Sequence, residues 1–129
     1  MSTQPQLSDA EWEVMKALWE QSPATANELC QRLSSTRQWH LKTIRTMLTR
    51  LARKRAVATR IKDGVSHYVP LVSREECSHH AAQSFLNRVF DGALAPMVAH
   101  LVAKRPLTAE EKRELQKALR GSGAREAKS

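Results

Sequence analysis

The sequence predicts a mainly α chain carrying one small β-hairpin. Apolar side chains recur at helical spacing along most of its 129 residues. The exception is a pair of β-rich runs, Val57 to Lys62 and Val65 to Leu71, that meet at Asp63-Gly64. Asp-Gly between such runs is a strong hairpin signal, because a type I′ turn needs positive φ at both central residues. Past Pro70 the pattern changes to a second set of helices.

The first helix runs from Asp9 to about Gln21. Ser8 caps it with Glu11 three residues on, and Asp9 and Glu11 favour the positive helix end. Its buried stripe is Trp12, Met15, Leu18 and Trp19, and Ser22-Pro23 stops it. The second helix starts near Thr25, which pairs with Glu28 in the same capping pattern, and ends near Leu33-Ser34. The apolar spacing Ala26, Leu29, Cys30, Leu33 makes Cys30 a buried core thiol. Ser34-Ser35-Thr36-Arg37 is the turn into a third helix that extends to about Arg55. The hairpin follows. A fourth helix spans about Ser73 to Phe90, with Ser73 and Glu76 as its capping box and Asp91-Gly92 as its stop. The fifth is short, about Ala95 to Ala103, with Met97, Val98, Leu101 and Val102 apolar. Pro106 separates it from a sixth, capped by Thr108 with Glu111 and carrying Leu115, Ala118 and Leu119.

Three helices and then a hairpin is the order of a winged helix-turn-helix domain. The predicted organisation is a disordered N-terminal tail over residues 1–6, a winged helix-turn-helix domain over 7–72, a three-helix dimerisation region over 73–120 and a disordered Gly/Ser-rich tail over 121–129. The last three helices carry Phe85, Leu86, Val89, Phe90, Leu94, Val98, Leu101 and Val102, more apolar surface than so small a unit buries alone. These residues are the expected homodimer contacts; the alternative is packing against the N-terminal domain.

Charge narrows the function. The formal net charge is +8, from 21 Lys/Arg against 13 Asp/Glu, which favours phosphate polyanions or anionic surfaces as partners. With three Trp, two Phe and one Tyr, the chain lacks the clustered aromatics of a stacking platform for single strands. Two Cys, Cys30 and Cys77, are too few for a disulfide scaffold. The polar N-terminus has no signal-peptide core, and no apolar run approaches the ~20 residues of a membrane span, so a soluble cytoplasmic protein is expected. The acids lie mostly at helix starts and in the sixth helix, where capping accounts for them, and no carboxylate pair adjoins a His or Lys in a catalytic motif. No enzyme and no cofactor are expected.

The third helix carries the functional signal. Between Arg37 and Lys62 stand nine Lys/Arg and no acid. At 100° per residue Leu41, Ile44, Met47, Leu48 and Leu51 share one apolar arc, while Lys42, Thr46, Thr49 and Arg53 lie opposite. Thr43 and Arg50 flank the polar face on one side and Arg45 on the other. A basic, Thr-bearing face of this kind suits the DNA major groove, where Arg or Lys donates to guanine and a Thr methyl meets that of thymine. Residues near the start of such a helix usually reach bases and later ones phosphates. Lys42, Thr43 and Thr46 are therefore assigned mainly to base readout, with Arg45 a further candidate, and Arg50 and Arg53 to the backbone. Arg60 and Lys62 on the first wing strand, with His67 across the hairpin, are candidates for phosphate or minor-groove contact. The bland alternative is a solvated basic face, and the missing acids, the preceding helix-turn and the following hairpin argue against it.

Three segments carry a family resemblance: Leu7-Ser8-Asp9-Ala10-Glu11-Trp12-Glu13-Val14-Met15, Trp39 with Lys42-Thr43-Ile44-Arg45-Thr46-Met47-Leu48-Thr49-Arg50-Leu51, and Tyr68-Val69-Pro70-Leu71-Val72-Ser73. Together they resemble the penicillinase-repressor family, with its BlaI, MecI and CopY types, from about Leu7 to Leu119. The resemblance implies a homodimeric winged-helix repressor that binds inverted-repeat operators, often with TACA and TGTA half-sites. In the β-lactam branch a membrane sensor-protease triggers cleavage in the fifth helix. The corresponding bond here lies between His100 and Leu101, where the family has Asn-Phe. In the copper branch relief runs through Cys-x-Cys pairs in the tail, and residues 121–129 carry no Cys.

Two other readings remain from the sequence. Cys77-Ser78-His79-His80 places Cys77 and His80 on one helical face at i, i+3, a two-ligand basis for a metal-responsive repressor; without a second motif no metal site is assigned. A basic winged helix also serves as an RNA-binding module, against which the scarcity of aromatics counts.

Overall fold

The computed structural model describes residues 5–34 and 39–128, with side chains through residue 121. Its elements are α1 (Asp9–Glu20), α2 (Ala26–Leu33), α3 (Leu41–Arg53), β1 (Val57–Lys62), β2 (Val65–Pro70), α4 (Arg74–Phe90), α5 (Leu94–Lys104) and α6 (Ala109–Lys128). The fold is mainly helical with a two-stranded antiparallel hairpin. The chain divides into two compact units between Ser84 and Phe85. The division falls inside α4, not at Ser73, so the first turns of that helix belong with the N-terminal unit.

Side-chain caps start most helices where the sequence places them. Ser8 with Glu11, Thr25 with Glu28 and Thr108 with Glu111 form reciprocal capping boxes, and Ser73 Oγ accepts from the Glu76 N–H at 3.0 Å. α3 is different: His40 stands at its N-cap without a side-chain cap bond.

In the N-terminal unit α1, α2 and α3 close around one core. Val14, Met15, Leu18, Leu29, Ile44, Leu48 and Leu51 are fully buried, and each contributes roughly 1.5–3 kcal/mol by leaving water. Trp12 and Trp19 are only half-buried, with ring centroids 5.8 Å apart at 62°. Trp19 Nε1 donates to the Val72 carbonyl at 2.9 Å, which ties α1 to the chain leaving the wing. Cys30 is half-buried and not a core thiol; its Sγ donates to the Trp39 carbonyl at 3.3 Å and so holds α2 to the approach of α3. Of the predicted turn, Ser34 is the C-cap of α2, and residues 35–37 lie outside the described residues.

The hairpin forms about the predicted Asp63-Gly64 turn, with register from Val57↔Pro70 to Lys62↔Val65. Asp63 and Gly64 have φ of 54° and 76°, as a type I′ turn requires. Leu71 falls just beyond β2. α3 stops at Arg53, short of Arg55, because Arg55 takes φ of 63°. Its N–H donates to Ala52 O and that of Ala56 to Leu51 O, the paired bonds of a Schellman stop built without glycine. One pairing had no sequence signal: Ala24 N–H donates to Tyr68 O at 3.1 Å and Tyr68 N–H to Ala24 O at 2.8 Å.

In the C-terminal unit Asp91 and Gly92, with φ of 50° and 82°, end α4 as expected. Arg105 and Glu111 form a bidentate pair at 3.0 and 3.3 Å between α5 and α6. The 121–129 tail is not irregular as expected: α6 continues through Lys128. Gly121 and Gly123 lie in helical backbone, and Ala, Arg, Glu and Lys after them are good helix formers with no proline to break the run. On the 1–6 tail, residues 1–4 lie outside the described residues, while Gln6 O accepts from Lys54 Nζ at 2.8 Å.

Candidate nucleic-acid interface

α3 separates its two chemistries. Ile44, Met47, Leu48 and Leu51 are buried and Leu41 half-buried, whereas Lys42, Thr43, Arg45, Thr46, Thr49, Arg50 and Arg53 are all exposed. The helix therefore seats on its apolar arc and turns its basic face to solvent. Its first turn holds no acid. Thr46 Oγ1 donates to Lys42 O at 3.0 Å and Thr49 Oγ1 to Arg45 O at 2.9 Å. With their hydroxyl protons so engaged, both threonines offer a guest only oxygen lone pairs and a methyl group.

Not every cation of the basic stretch joins this face. Lys54 is turned toward α1, with Nζ 2.6 Å from Glu11 Oε1. Glu11 is buried to 2% exposure and sits in the first turn of α1. Burial is the largest influence on its carboxyl and pushes it up, but Lys54 and the Ser8 N–H and hydroxyl together outweigh that and hold it below the usual Glu value. The pair pins the C-terminal end of α3 to the start of α1. Nothing in the charge pattern marks Lys54 as different from its neighbours, which is why the sequence counts it with the rest.

The wing presents Arg60 and Lys62 as exposed side chains, with His67 opposite Arg60 in the register. His67 Nδ1 lies 3.0 Å from Val65 O. Strand alternation puts Arg60 and Lys62 on the side opposite buried Val57, facing solvent, while Ile61, 76% exposed, shares the side of Val57. Ile61 is not part of the sequence-based site.

A winged helix whose third helix bears an acid-free basic face is one observation; the match of the penicillinase repressor family model to residues 7–121 is the second. The chain belongs to the penicillinase-repressor family. It is 40% identical over 115 residues to the penicillinase repressor of Bacillus licheniformis, covering 89% of this chain and 90% of that one. It is 32% identical to the methicillin resistance regulatory protein MecI of Staphylococcus aureus, covering 88% and 93%. Among solved structures, the monomeric form of B. licheniformis BlaI in complex with the blaP half-operator matches with 42% identity and a TM-score of 0.51, over 59% of this chain and 93% of that one. The family is one of transcriptional regulators and not of enzymes.

The C-terminal unit of this penicillinase-repressor relative displays most of the predicted dimer residues. Phe85, Val89, Leu94, Val98 and Leu101 are exposed, and Phe90 and Val102 half-buried. Leu86 departs from the set: the chain itself buries it to 8%. Leu115 and Leu119 on α6, exposed at 41% and 69%, extend the apolar surface beyond the residues chosen from sequence. His100 and Leu101 are both exposed on α5, and the His100 ring lies 6.1 Å from that of Phe90.

The two-ligand Cys77/His80 reading fares poorly. Cys77 is 3% exposed, and burial, with Glu76 adding to it, raises its thiol pKa, which disfavours the thiolate that binds metals. Among the described residues no three His, Cys, Asp or Glu side chains converge as a metal site. Among them, too, no helix is long and apolar enough to cross a membrane.

Proposed function

We propose that the chain is a cytoplasmic, homodimeric transcriptional repressor that inserts α3 into the major groove of each half of an inverted-repeat operator. The exposed Lys/Thr/Arg face of α3, with its apolar arc sealed in the core, carries this reading. Lys42, Thr43 and Thr46 read bases, while Arg50 and Arg53 hold phosphates, with Arg60 and Lys62 of the wing as further backbone contacts. The half-operator complex of the B. licheniformis relative supports the choice of duplex DNA. The exposed apolar residues of α4, α5 and α6 join two copies. Where release is proteolytic, as in the family branch with a membrane sensor-protease, the corresponding bond is that between His100 and Leu101, and its cleavage would cut α5 and detach Leu115 and Leu119 from the DNA-binding unit.

Two substitutions test the DNA reading. Lys42→Ala should cost about 1–3 kcal/mol on the operator, much less on random duplex, and relax selectivity; Arg53→Ala should weaken both duplexes alike and lower the salt slope by about 1. Electrophoretic mobility shift with a duplex from the protein's own promoter measures both. Equal losses for Lys42→Ala on the two duplexes would contradict the base-reading assignment. Stronger competition by structured RNA than by duplex DNA would favour the RNA-binding alternative.

A further inference from the structure

Beside α3, three elements enclose a concavity of about 550 Å³, walled by Thr25 and Asn27 at the start of α2, Arg45 and Thr49 on one flank of α3, and Ser66 and Tyr68 of β2. Its width is built in. Ala24, one residue before the Thr25 cap, exchanges both backbone hydrogen bonds with Tyr68, at 2.8 and 3.1 Å, so the start of α2 and the wing cannot part without losing both.

The chemistry of the walls selects a guest. Thr49 Oγ1 spends its proton on Arg45 O, whereas Thr25 Oγ1 accepts from the Glu28 N–H and keeps its own proton. That leaves the Arg45 guanidinium, the Asn27 amide and the Thr25, Ser66 and Tyr68 hydroxyls. No Asp or Glu is among the described lining residues, and the Glu28 carboxylate on the same helix accepts from the Thr25 N–H at 2.9 Å. One permanent cation among neutral donors fits a singly charged anion that accepts several hydrogen bonds at once, which describes a phosphodiester. Lys42, Thr43 and Thr46 take no part in these walls, so Arg45, a base-reading candidate from the sequence, is set apart from them.

We propose that this concavity seats one phosphodiester of each operator half-site, with Arg45 supplying charge and Asn27 and Ser66 neutral hydrogen bonds, so that it sets the register of α3 without reading a base. The inference rests on the DNA-binding reading above. The test uses full-length protein and two duplexes: the footprinted segment of its own promoter, carrying a single methylphosphonate moved along each strand, and a random duplex of equal length. Wild-type protein should lose about tenfold in affinity at one phosphate per half-site, the size of one charge-assisted hydrogen bond. Arg45→Ala should be indifferent to that methylphosphonate, should lose affinity alike on promoter and random duplex, and should lower the salt slope by about 1. The Asn27→Ala/Ser66→Ala double variant should weaken binding at that same phosphate with the slope unchanged. Loss confined to the promoter duplex in Arg45→Ala, or undiminished sensitivity at every methylphosphonate position, overturns the proposal. Wild type binding neither duplex would instead sink the DNA-binding reading itself.

Discussion

Glu11 ties the start of α1 to the far end of α3, and the two partners of its ion pair are not equivalent. The carboxylate is nearly inaccessible, whereas Lys54 is 36% exposed and can swing to water. Its Oε2 is also buried without a hydrogen-bond partner among the described residues, so most of its compensation comes through Oε1 from Lys54 and the Ser8 N–H. Removing the cation strands a buried charge, while removing the charge releases a lysine that solvent can satisfy. Lys54→Met should therefore cost roughly 3 kcal/mol, the low end for breaking a buried pair, and Glu11→Gln about 1 kcal/mol, by urea denaturation at neutral pH. The pH dependence follows from the lowered pKa of Glu11. A carboxyl lowered by folding contributes its stability fully above the ordinary Glu value of 4.5, and that stability fades as pH falls through the folded value. The gap between wild type and Lys54→Met should hold above that range and close below it. A gap independent of pH would mean that the pair is not what Lys54 contributes.

At the scale of elements, what repeats was legible and what occurs once was not. Capping boxes, the 3.6-residue arc of α3 and the Asp-Gly hairpin are periodic or local signals, and each stands where the sequence puts it. The Ala24–Tyr68 bridge involves one residue on each side and leaves no periodicity to detect. The stop at Arg55 uses the backbone geometry of a glycine without the glycine, and Arg45 could not be assigned to the flank facing the wing until that bridge fixed where the wing lies. The hairpin turn tests how far the wing depends on its backbone. A Cβ added at Gly64 would meet nothing within 4 Å, so Gly64→Ala isolates the cost of positive φ, about 1 kcal/mol. Thermal melting should show a drop of roughly 4–8 °C. No change in Tm would mean that the turn rearranges freely and does not set the register of Arg60 and Lys62.

At the scale of the molecule, the apolar surface left on the C-terminal unit and the basic face of α3 serve one purpose only if two copies act together. On the proposed reading a lone α3 would contact one half-site, and joining two copies through the C-terminal helices would make the second contact intramolecular, a gain of about 10²–10⁴ in affinity without any new DNA contact. Leu101 and Leu86 separate pairing from folding. Leu101 is 56% exposed, so Leu101→Glu places a charge on the surface without opening the chain's own core, whereas Leu86, at 8%, is buried by the chain itself. Sedimentation should find Leu101→Glu monomeric with an unchanged circular dichroism spectrum, and Leu86→Ala destabilised by about 2–5 kcal/mol. On an inverted repeat Leu101→Glu should lose at least about 10²-fold in affinity, yet bind an isolated half-site as well as wild type does. A cut between His100 and Leu101 should reproduce that split, because it leaves α3 intact and removes the same side chain from its partner. Should Leu101→Glu remain dimeric at full affinity, the two copies do not meet through α5, and the exposed leucines of α6 become the surface to change next.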